Sequence, residues 1–251
     1  MKKDNKDKTS FGFKEVDSDE KASLVGNVFD TVSENYDLMN DLMSFGLHRL
    51  WKRYAITCLD IKKGQTVLDL ACGSADLSHL ILDRLAGEVS LLCSDINERM
   101  LETGRNKLAN AGWVKEAVFV RSDAESLPLR TNAIDRLVMG FGIRNVTSKL
   151  QALREMQRVL VPGGRVVILE FSEMKHPFFA KIYDAYSFSI VPKIGRWVTS
   201  SEESYRYLVE SIRVHPNQES LKILMEKVGF DKVEFYNLLG GVVAVHVGFK
   251  G

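Results

Sequence analysis

Short apolar runs alternate along the middle of the chain with segments whose apolar residues recur at helical spacing. The runs have the length and composition of buried strands; they are Thr66–Leu70, Val89–Ser94, Ala117–Arg121, Ala133–Gly140 and Arg165–Glu170. The segments between them predict helices near Asp76–Leu85, Glu98–Ala109 and Lys149–Leu160. The last of these helices is expected to stop at Pro162, Gly163 and Gly164. Strands and helices in this order predict an α/β fold, a parallel sheet with helices on both faces.

Both ends of the chain add elements to this pattern. Lys21–Tyr36 and a segment that begins near Leu47 have apolar residues at helical spacing, so two or so helices precede the first strand. Further helices are predicted at Glu202–Val214 and Gln218–Val228. The last two apolar runs are joined by a glycine turn and predict a terminal hairpin; they are Phe230–Leu238 and Val242–Phe249.

Length and composition predict one domain with additions. The chain has 251 residues, of which 45% are hydrophobic, enough for a sizeable core. Residues 1–14 are polar and lysine-rich at their start and are expected to be a flexible tail. Residues 15–251 are expected to form a single domain, with helices over 15–60 at its start and a helical insertion over about 173–215.

Charge and cysteine content exclude several classes of function. A formal net charge of +1 gives no electrostatic reason to expect a nucleic acid as partner. Cys58, Cys72 and Cys93 show no Cys-x-x-Cys spacing, so we expect reduced thiols in a cytoplasmic protein and neither disulfides nor a zinc site. We also expect no signal peptide and no membrane span.

The turn after the first strand is the first candidate ligand site. In Thr66–Asp76 a strand is followed by a turn of small residues and then by the start of a helix. This order is typical of the opening unit of nucleotide-binding folds. A dinucleotide fingerprint would have glycine at three positions, and here they are Gly73, Ala75 and Ser78, which disfavours a bound pyrophosphate. S-adenosylmethionine has no phosphate, and its carboxylate can use a helix N-terminus. Alternatively, the turn binds nothing, as many motif matches do.

Acidic residues mark the first two strands. Asp69 lies inside the first strand, and Asp95 ends the second. Ligands of open α/β sheets sit beyond the carboxyl ends of the strands, and Asp95 follows the glycine turn at the usual distance of roughly 20 residues. We therefore expect Asp95 to accept the ribose hydroxyls. Alternatively, it caps the next helix, a role that Asn97 could also fill.

The loops after the third and fourth strands carry further candidates. Asp123 and the backbone of Ala124 can meet the amino group and ring of an adenine, unless the segment is simply a solvated loop. After the fourth strand, Gly140 begins a loop in which Arg144 and Asn145 are adjacent. Two glycines, an aromatic residue, a cation and an amide at a strand end are unusual for a mere connection and indicate function.

Two long spaced patterns carry a resemblance to a known family. They are Tyr36-Asp37-x-Met39-Asn40-x-x-Met43-Ser44-x-x-x-His48-x-x-Trp51 and Arg158-Val159-Leu160-x-Pro162-Gly163-Gly164-x-Val166-x-x-Leu169-Glu170-x-Ser172. With them, the chain resembles class I S-adenosylmethionine-dependent methyltransferases, and more narrowly the UbiE-type C-methyltransferases of ubiquinone and menaquinone biosynthesis. The resemblance implies a Rossmann-like, seven-stranded, mostly parallel sheet with a C-terminal antiparallel hairpin.

The resemblance also implies a reaction and a set of site residues. The reaction is methyl transfer from S-adenosylmethionine to a ring carbon of a polyprenylated quinol, either demethylmenaquinol, 2-methoxy-6-polyprenyl-1,4-benzoquinol, or both. Cofactor contacts are implied at Asp69, Gly73, Ser74, Asp95, Asp123, Ala124 and Gly140. Arg144 is the first catalytic candidate, as a cation over the phenolate or the holder of a water, and Asn145 would orient the same water or hydroxyl, unless it is a turn residue. Asp184 and His48 are weaker proton acceptors, and no metal is expected.

The resemblance also implies partners for the chain, and three other functions compete with the one it implies. A prenylated substrate implies peripheral contact with the inner face of the membrane, and relatives suggest a homodimer or a quinone-biosynthesis complex. The aromatic face Phe178–Phe188 is a lid, a membrane-facing wall or a core helix. The rivals are a methyltransferase of another lipid or small phenol, an NAD(P)-dependent oxidoreductase, and a non-catalytic module that binds S-adenosylmethionine.

Overall fold

A computed structural model describes residues 8–32, 38, 40–41, 44–113, 115–175, 189, 193 and 202–251. The strands in this part of the chain are β1 (Lys8–Phe11), β2 (Lys14–Asp17), β3 (Thr66–Leu70), β4 (Ser90–Asp95), β5 (Ala117–Arg121), β6 (Ile134–Gly140), β7 (Leu160–Phe171), β8 (Phe230–Leu238) and β9 (Val243–Lys250). The helices are α1 (Ser18–Val32), α2 (His48–Leu59), α3 (Asp76–Leu85), α4 (Glu98–Asn110), α5 (Lys149–Val159), α6 (Glu202–Val214) and α7 (Gln218–Lys227).

Seven of the strands form one sheet in the order β5-β4-β3-β6-β7-β9-β8. The five strands from β3 to β7 are parallel, and β9 runs antiparallel between β7 and β8. The predicted mostly parallel sheet with a terminal hairpin is thereby confirmed. Because β3 lies between β4 and β6, the strand order reverses at β3, and open sheets of this kind bind ligands at that point.

Helices cover both faces of the sheet because its strands are apolar on both sides. On one face, Val67 of β3 belongs to a buried cluster with residues of α2, α3, α4 and α6. On the other face, the next residue, Leu68, belongs to a second cluster with residues of α5 and α7. Successive side chains of a strand point to opposite faces, so near-continuous apolar runs such as Thr66–Leu70 are typical of a sheet buried on both sides.

Strand β7 begins earlier than the sequence predicted. The expected break at Pro162–Gly164 lies inside it, and the pairing with β6 shifts there, from Ile134 opposite Leu160 to Arg136 opposite Arg165. The extra residues on β7 bulge out of the ladder, which explains how a proline and two glycines are tolerated inside a strand.

The first described residues form a hairpin where the sequence predicted a flexible tail. Strands β1 and β2 pair antiparallel, with Lys8 opposite Asp17. The hairpin is held by α6, because the ring of Phe11 stacks on Tyr207 at 4.2 Å and the backbone N–H of Phe13 donates to Glu210 Oε2 at 3.1 Å. These partners are about two hundred residues away in sequence, so a local pattern could not indicate the pairing.

Some predictions lie outside the described residues. Among these are Tyr36, Asp37, Asp184 and the aromatic face Phe178–Phe188. Of the helices that are described, none combines the length and the apolar content that a membrane span requires.

Gly104 of α4 provides a test of how tightly this helix packs on the turn after β3. A Cβ atom at Gly104 would lie 3.0 Å from the carbonyl oxygen of Gly73 and 3.0 Å from Cβ of Ala75. We expect Gly104→Ala to lower the free energy of unfolding by about 1–3 kcal/mol through overpacking, although alanine is the better helix former by about 1 kcal/mol. Urea unfolding measures this change. Asn106→Ala, at an exposed position of the same helix, is the control and should be neutral or stabilising, and a stabilising effect at both positions would contradict the close packing.

Candidate active site

A cleft of about 840 Å³, including space open to solvent, lies at the carboxyl ends of β3, β4 and β6. One wall is formed by α1 and the others by the loops that follow the strands. The lining residues are Ala22, Val25, Gly26, Phe29, Ala71, Gly73, Asp95, Ile96, Asn97, Met100, Asp123, Ala124, Glu125, Met139, Gly140, Phe141, Gly142, Asn145, Val146 and Thr147.

The turn between β3 and α3 is built from small residues in left-handed backbone conformations. Ala71, Gly73 and Ala75 have φ values of 55°, 54° and 61°. Two of these residues carry a Cβ atom, so the turn stores strain of the kind that is found at ligand sites. Gly73 faces the cleft, whereas Ser74 is buried and is not among the lining residues.

Asp95 ties the turn to the start of α4. Its Oδ2 accepts the backbone N–H of Gly73 and its Oδ1 accepts that of Asn97, each at 2.9 Å. Burial raises the pKa of Asp95, and these backbone N–H bonds oppose the rise. The capping role belongs to Asn97, whose side chain accepts the N–H of Met100. A carboxylate has about four acceptor positions, so Asp95 retains capacity for hydroxyl donors from the cleft.

Asp69 lies below the turn and does not line the cleft. It is fully buried, and its Oδ2 accepts a 2.6 Å hydrogen bond from Ser78 Oγ of α3. Burial raises the pKa of Asp69 to about 7, against the opposing effect of the Ser78 bonds. In this geometry Asp69 does not face the cleft. Its hydrogen bond to Ser78 fastens α3 to β3.

Three further predicted residues line the cleft. Asp123 and Ala124 line it after β5, and Gly140 lines it at the end of β6. Asp123 Oδ1 accepts the N–H of Glu125 at 2.9 Å, which fixes the carboxylate at the rim. A Cβ atom at Gly140 would lie 2.7 Å from Leu77 of α3, so the glycine allows α3 to approach the strand end.

Arg144 is placed differently from the sequence prediction. Its guanidinium is buried, donates from Nη1 to Glu170 Oε1 at 2.8 Å and to the carbonyl of Phe141, and does not line the cleft. Its own N–H donates to Glu170 Oε2 at 3.2 Å. The ion pair thus clamps the loop after β6 onto the end of β7, and a guanidinium held in this way does not reach a phenolate in the cleft.

Asn145, like Thr147 of the same loop, is a polar residue that lines the cleft. Its Oδ1 accepts a 3.0 Å hydrogen bond from the hydroxyl of Tyr207 of α6. The tyrosine hydroxyl fixes the orientation of the amide, because it donates to the oxygen and leaves the NH₂ group for another partner. The site therefore offers two N–H donors beside Phe141 and Gly142.

The cleft resembles the cofactor site of a methyltransferase: an acid after the second strand of the unit, a small-residue turn, and apolar walls without a phosphate-binding glycine motif. The chain matches the sequence profile of the ubiE/COQ5 methyltransferase family over residues 15–250. It belongs to this family. It is therefore an S-adenosylmethionine-dependent C-methyltransferase.

Full-length relatives support the assignment. The chain is 51% identical over 251 residues to the ubiquinone/menaquinone biosynthesis C-methyltransferase UbiE of Klebsiella pneumoniae subsp. pneumoniae, with both chains covered completely. It is 50% identical to the protein of the same name from Citrobacter koseri, also with complete coverage of both chains.

Solved structures at lower identity show the fold. One is a SAM-dependent methyltransferase from Aquifex aeolicus, with a TM-score of 0.59 and 17% identity, covering 85% of this chain and 97% of that one. Another is a possible histamine N-methyltransferase from Thermotoga maritima, with a TM-score of 0.62 and 18% identity, covering 90% of this chain and 100% of that one.

His48, the weaker proton acceptor expected in this methyltransferase, lies away from the cleft. It is 5% exposed at the start of α2, and its Nε2 lies 3.5 Å from Asp41 Oδ1. Burial and the cation of Lys52 lower the pKa of His48 to about 4. It is therefore a neutral, structural histidine at physiological pH. In the described part of the chain, no group of three or more His, Cys, Asp or Glu side chains is arranged to hold a metal ion.

The contribution of α1 to the cleft was not predicted from the sequence. Ala22, Val25, Gly26 and Phe29 form a wall of the cleft, and small residues four apart on a helix could have indicated this close approach. Asn97 Nδ2 donates to Asp30 Oδ1 at 2.8 Å, which connects α1 to the cap of α4.

Lys21 fastens the other end of this wall. The Lys21 ammonium donates to the carbonyl of Val146 at 3.2 Å. Burial and the nearby cation of Lys149 lower the pKa of Lys21 to about 8. The wall is thus attached to both sides of the cleft.

The buried carboxyl of Asp69 predicts a pH effect on stability. Its pKa is raised in the folded state, so the folded protein retains this proton while the unfolded chain releases it near pH 4. The contribution of Asp69 to stability therefore falls from about pH 4 to about pH 7, and Asp69→Asn should remove a penalty of a few kcal/mol at neutral pH. Urea unfolding of both proteins across this range measures the difference. If the difference between variant and wild type does not change with pH, the raised pKa is wrong.

The buried Arg144–Glu170 pair predicts that replacing one partner alone lowers stability more than replacing both. Arg144→Met leaves a buried, uncompensated carboxylate and should lower the free energy of unfolding by about 3–5 kcal/mol, part of which Arg144→Met/Glu170→Gln should restore. The control is Lys63→Met, which breaks an exposed pair with Glu88 and should cost less than about 1 kcal/mol. Similar losses in both single variants, measured by urea unfolding, would contradict the structural role of the buried pair.

Proposed function

We propose that this protein transfers a methyl group from S-adenosylmethionine to a ring carbon of a polyprenylated quinol in menaquinone or ubiquinone biosynthesis. The acceptor is demethylmenaquinol, 2-methoxy-6-polyprenyl-1,4-benzoquinol, or both. The observation that carries the proposal is the 51% identity, over the full length of both chains, to a protein named ubiquinone/menaquinone biosynthesis C-methyltransferase. The cleft at the switch point of the sheet supports it, because its residues fit both reactants.

The cofactor half of the cleft is the part around Gly73 and Asp95. S-adenosylmethionine, when bound, supplies a methyl group that is activated by the positive sulfur. Asp95 accepts the ribose hydroxyls with the acceptor positions that Gly73 and Asn97 leave free. Asp123 and Ala124 would hold the adenine, and apolar side chains such as Met100 line the same cleft.

The turn carries the remaining cofactor contacts. Gly73 of the turn and Gly140 at the end of β6 line the cleft, and with no side chain they allow a ligand to approach their backbone. Ser74 is buried behind them and supports the turn. Asp69 acts from below, by holding α3 against β3. This support matters because a positioned cofactor lowers the entropic cost of the reaction.

The acceptor half of the cleft is the part around Phe141 and Asn145. A ring carbon is a poor nucleophile, and its electron density rises when the neighbouring hydroxyl is deprotonated or strongly hydrogen-bonded. Asn145 donates an amide N–H to this oxygen, with the amide oriented by Tyr207. Donors that are fixed before the reaction stabilise developing negative charge without reorganisation. Arg144 contributes by clamping the loop that carries Asn145.

Two further parts of the proposal concern membrane contact and assembly. A polyprenyl tail partitions into lipid, so the protein contacts the membrane at its periphery when it takes up the quinol. Assembly as a homodimer or within a quinone-biosynthesis complex is proposed on the family resemblance alone.

Methyl transfer to reduced, short-tailed acceptors tests the proposal. With radiolabelled S-adenosylmethionine, we expect label on a ring carbon of a demethylmenaquinol or a methoxy-benzoquinol, and the ratio between them identifies the pathway. Asn145→Ala should lower kcat by about 10²–10³-fold, the cost of losing one such donor, and retain cofactor affinity. Asp95→Asn should instead weaken cofactor binding.

The control for these variants is Asn106→Ala, an exposed amide on α4. It should leave both parameters unchanged. Label on neither acceptor, with S-adenosylmethionine still bound, would contradict the quinol and leave the cofactor site intact. An unchanged kcat in Asn145→Ala would contradict its role.

A further inference from the structure

The outer side of α2 exposes apolar and basic residues in adjacent rows. Leu50 and Tyr54 are four residues apart, as are Arg49 and Arg53, so each pair forms a row along the helix. Leu50 is 57% and Tyr54 38% exposed, and Phe45, in the turn just before the helix, is 76% exposed. We call these five residues the α2 surface. The opposite side of the helix packs on the sheet, so the exposure is a property of the outward face.

A basic groove lies beside the α2 surface, between α2, α3 and α4. It is lined by His48, Arg49, Lys52, Arg53, Asp76, His79, Leu80, Asp83 and Lys107. Four Lys or Arg against two Asp give this lining a formal charge of +2. Lys52 and Lys107 both contact Asp76, and Arg49 pairs with Asp41 at 2.6 Å, whereas no ion pair with a described residue is found for Arg53. The groove therefore favours an anion.

The position of α2 brings this surface to the same end of the sheet as the cleft. Trp51, in the first turn, contacts Phe171 at the carboxyl end of β7 with ring centroids 6.5 Å apart. The last turn lies at the other end, where Arg165 donates to the carbonyl of Cys58 at 2.7 Å. The exposed start of α2 and the mouth of the cleft thus lie at the same end of the sheet.

Apolar exposure continues from α2 onto the edge of the sheet. Tyr54 contacts Tyr236 of β8, with ring centroids 6.2 Å apart. Leu239, in the turn that follows β8, is 57% exposed. Because β8 is parallel to β7, this turn also lies at the carboxyl end of the sheet.

We propose that the α2 surface docks on an anionic lipid bilayer, with the basic groove against the phosphate headgroups. The proposal rests on the proposed function, since a polyprenylated quinol resides in the bilayer. Exposed aromatic and aliphatic side chains beside arginine are the combination that binds the interfacial region of membranes. A nucleic acid would match the groove but not the apolar row, and the net charge of the chain is only +1.

Vesicle co-sedimentation tests the proposal with the full chain. We expect the protein to bind phosphatidylcholine vesicles that contain phosphatidylglycerol, more weakly at high salt, and to bind pure phosphatidylcholine less well. Arg53→Glu reverses one interfacial charge, a change of two units, and should weaken binding about 30-fold. Leu50→Ser should weaken binding about 5-fold, as expected for one half-buried leucine. The double variant should lose about 150-fold if the two effects add.

The matched control is Arg154→Glu/Ile223→Ser, which changes an exposed arginine of α5 and an apolar residue of α7 that is 56% exposed. It should bind vesicles like the wild type. Equal binding by wild type and the α2 double variant, an equal loss in the control, or binding of nucleic acid without vesicles would each overturn the proposal. Thermal unfolding and cofactor affinity confirm that all variants are folded.

Methyl transfer separates this proposal from the proposed function. With a soluble, short-tailed quinol and no vesicles, the α2 variants should turn over like the wild type. With a long-tailed quinol in anionic vesicles, they should lose activity in proportion to their loss of binding. If no protein methylates either quinol but vesicle binding still depends on α2, the proposed function fails and the docking surface remains.

Discussion

A single buried carboxylate connects the parts of this methyltransferase that meet at the cleft. Asp95 ends β4 and accepts backbone N–H groups from the turn after β3 and from the start of α4. Both N–H groups are at points where the chain leaves regular structure and has no internal acceptor, so without Asp95 they would need water. Asn97, held in place next to it, caps α4 and bonds to α1. The turn, the helix start and the outer wall are thus positioned together.

The residues that face the cleft are held by residues that do not. Asp69 supports the turn through Ser78, and the Arg144–Glu170 pair supports the loop that carries Asn145. Buried charges are costly, so pairs of this kind persist where they fix a geometry. In this arrangement Arg144 acts on the cleft through the position of the loop that carries Asn145.

The proposed prenylated acceptor and the cofactor would impose different requirements on the two ends of one cleft. The ribose and adenine need hydrogen-bond acceptors, which the strand ends supply. A prenyl tail needs an apolar route, and the exposed side chains on α2 and after β8 lie at the same end of the sheet. The fold satisfies both requirements because every loop that follows a parallel strand emerges at that end.

The sequence by itself determined the elements, their order, and the strand-end residues Gly73, Asp95, Asp123 and Gly140, because periodicity and spacing are local properties of the chain. It did not determine the hairpin at 8–17, the wall formed by α1, or the burial of Arg144. The adjacent pair Arg144–Asn145 shows the reason: in sequence both residues belong to one polar loop, yet Glu170 draws the arginine inward and Tyr207 leaves the asparagine at the cleft. Which of two neighbouring side chains finds a buried partner depends on residues far along the chain, and only the tertiary structure brings those residues together.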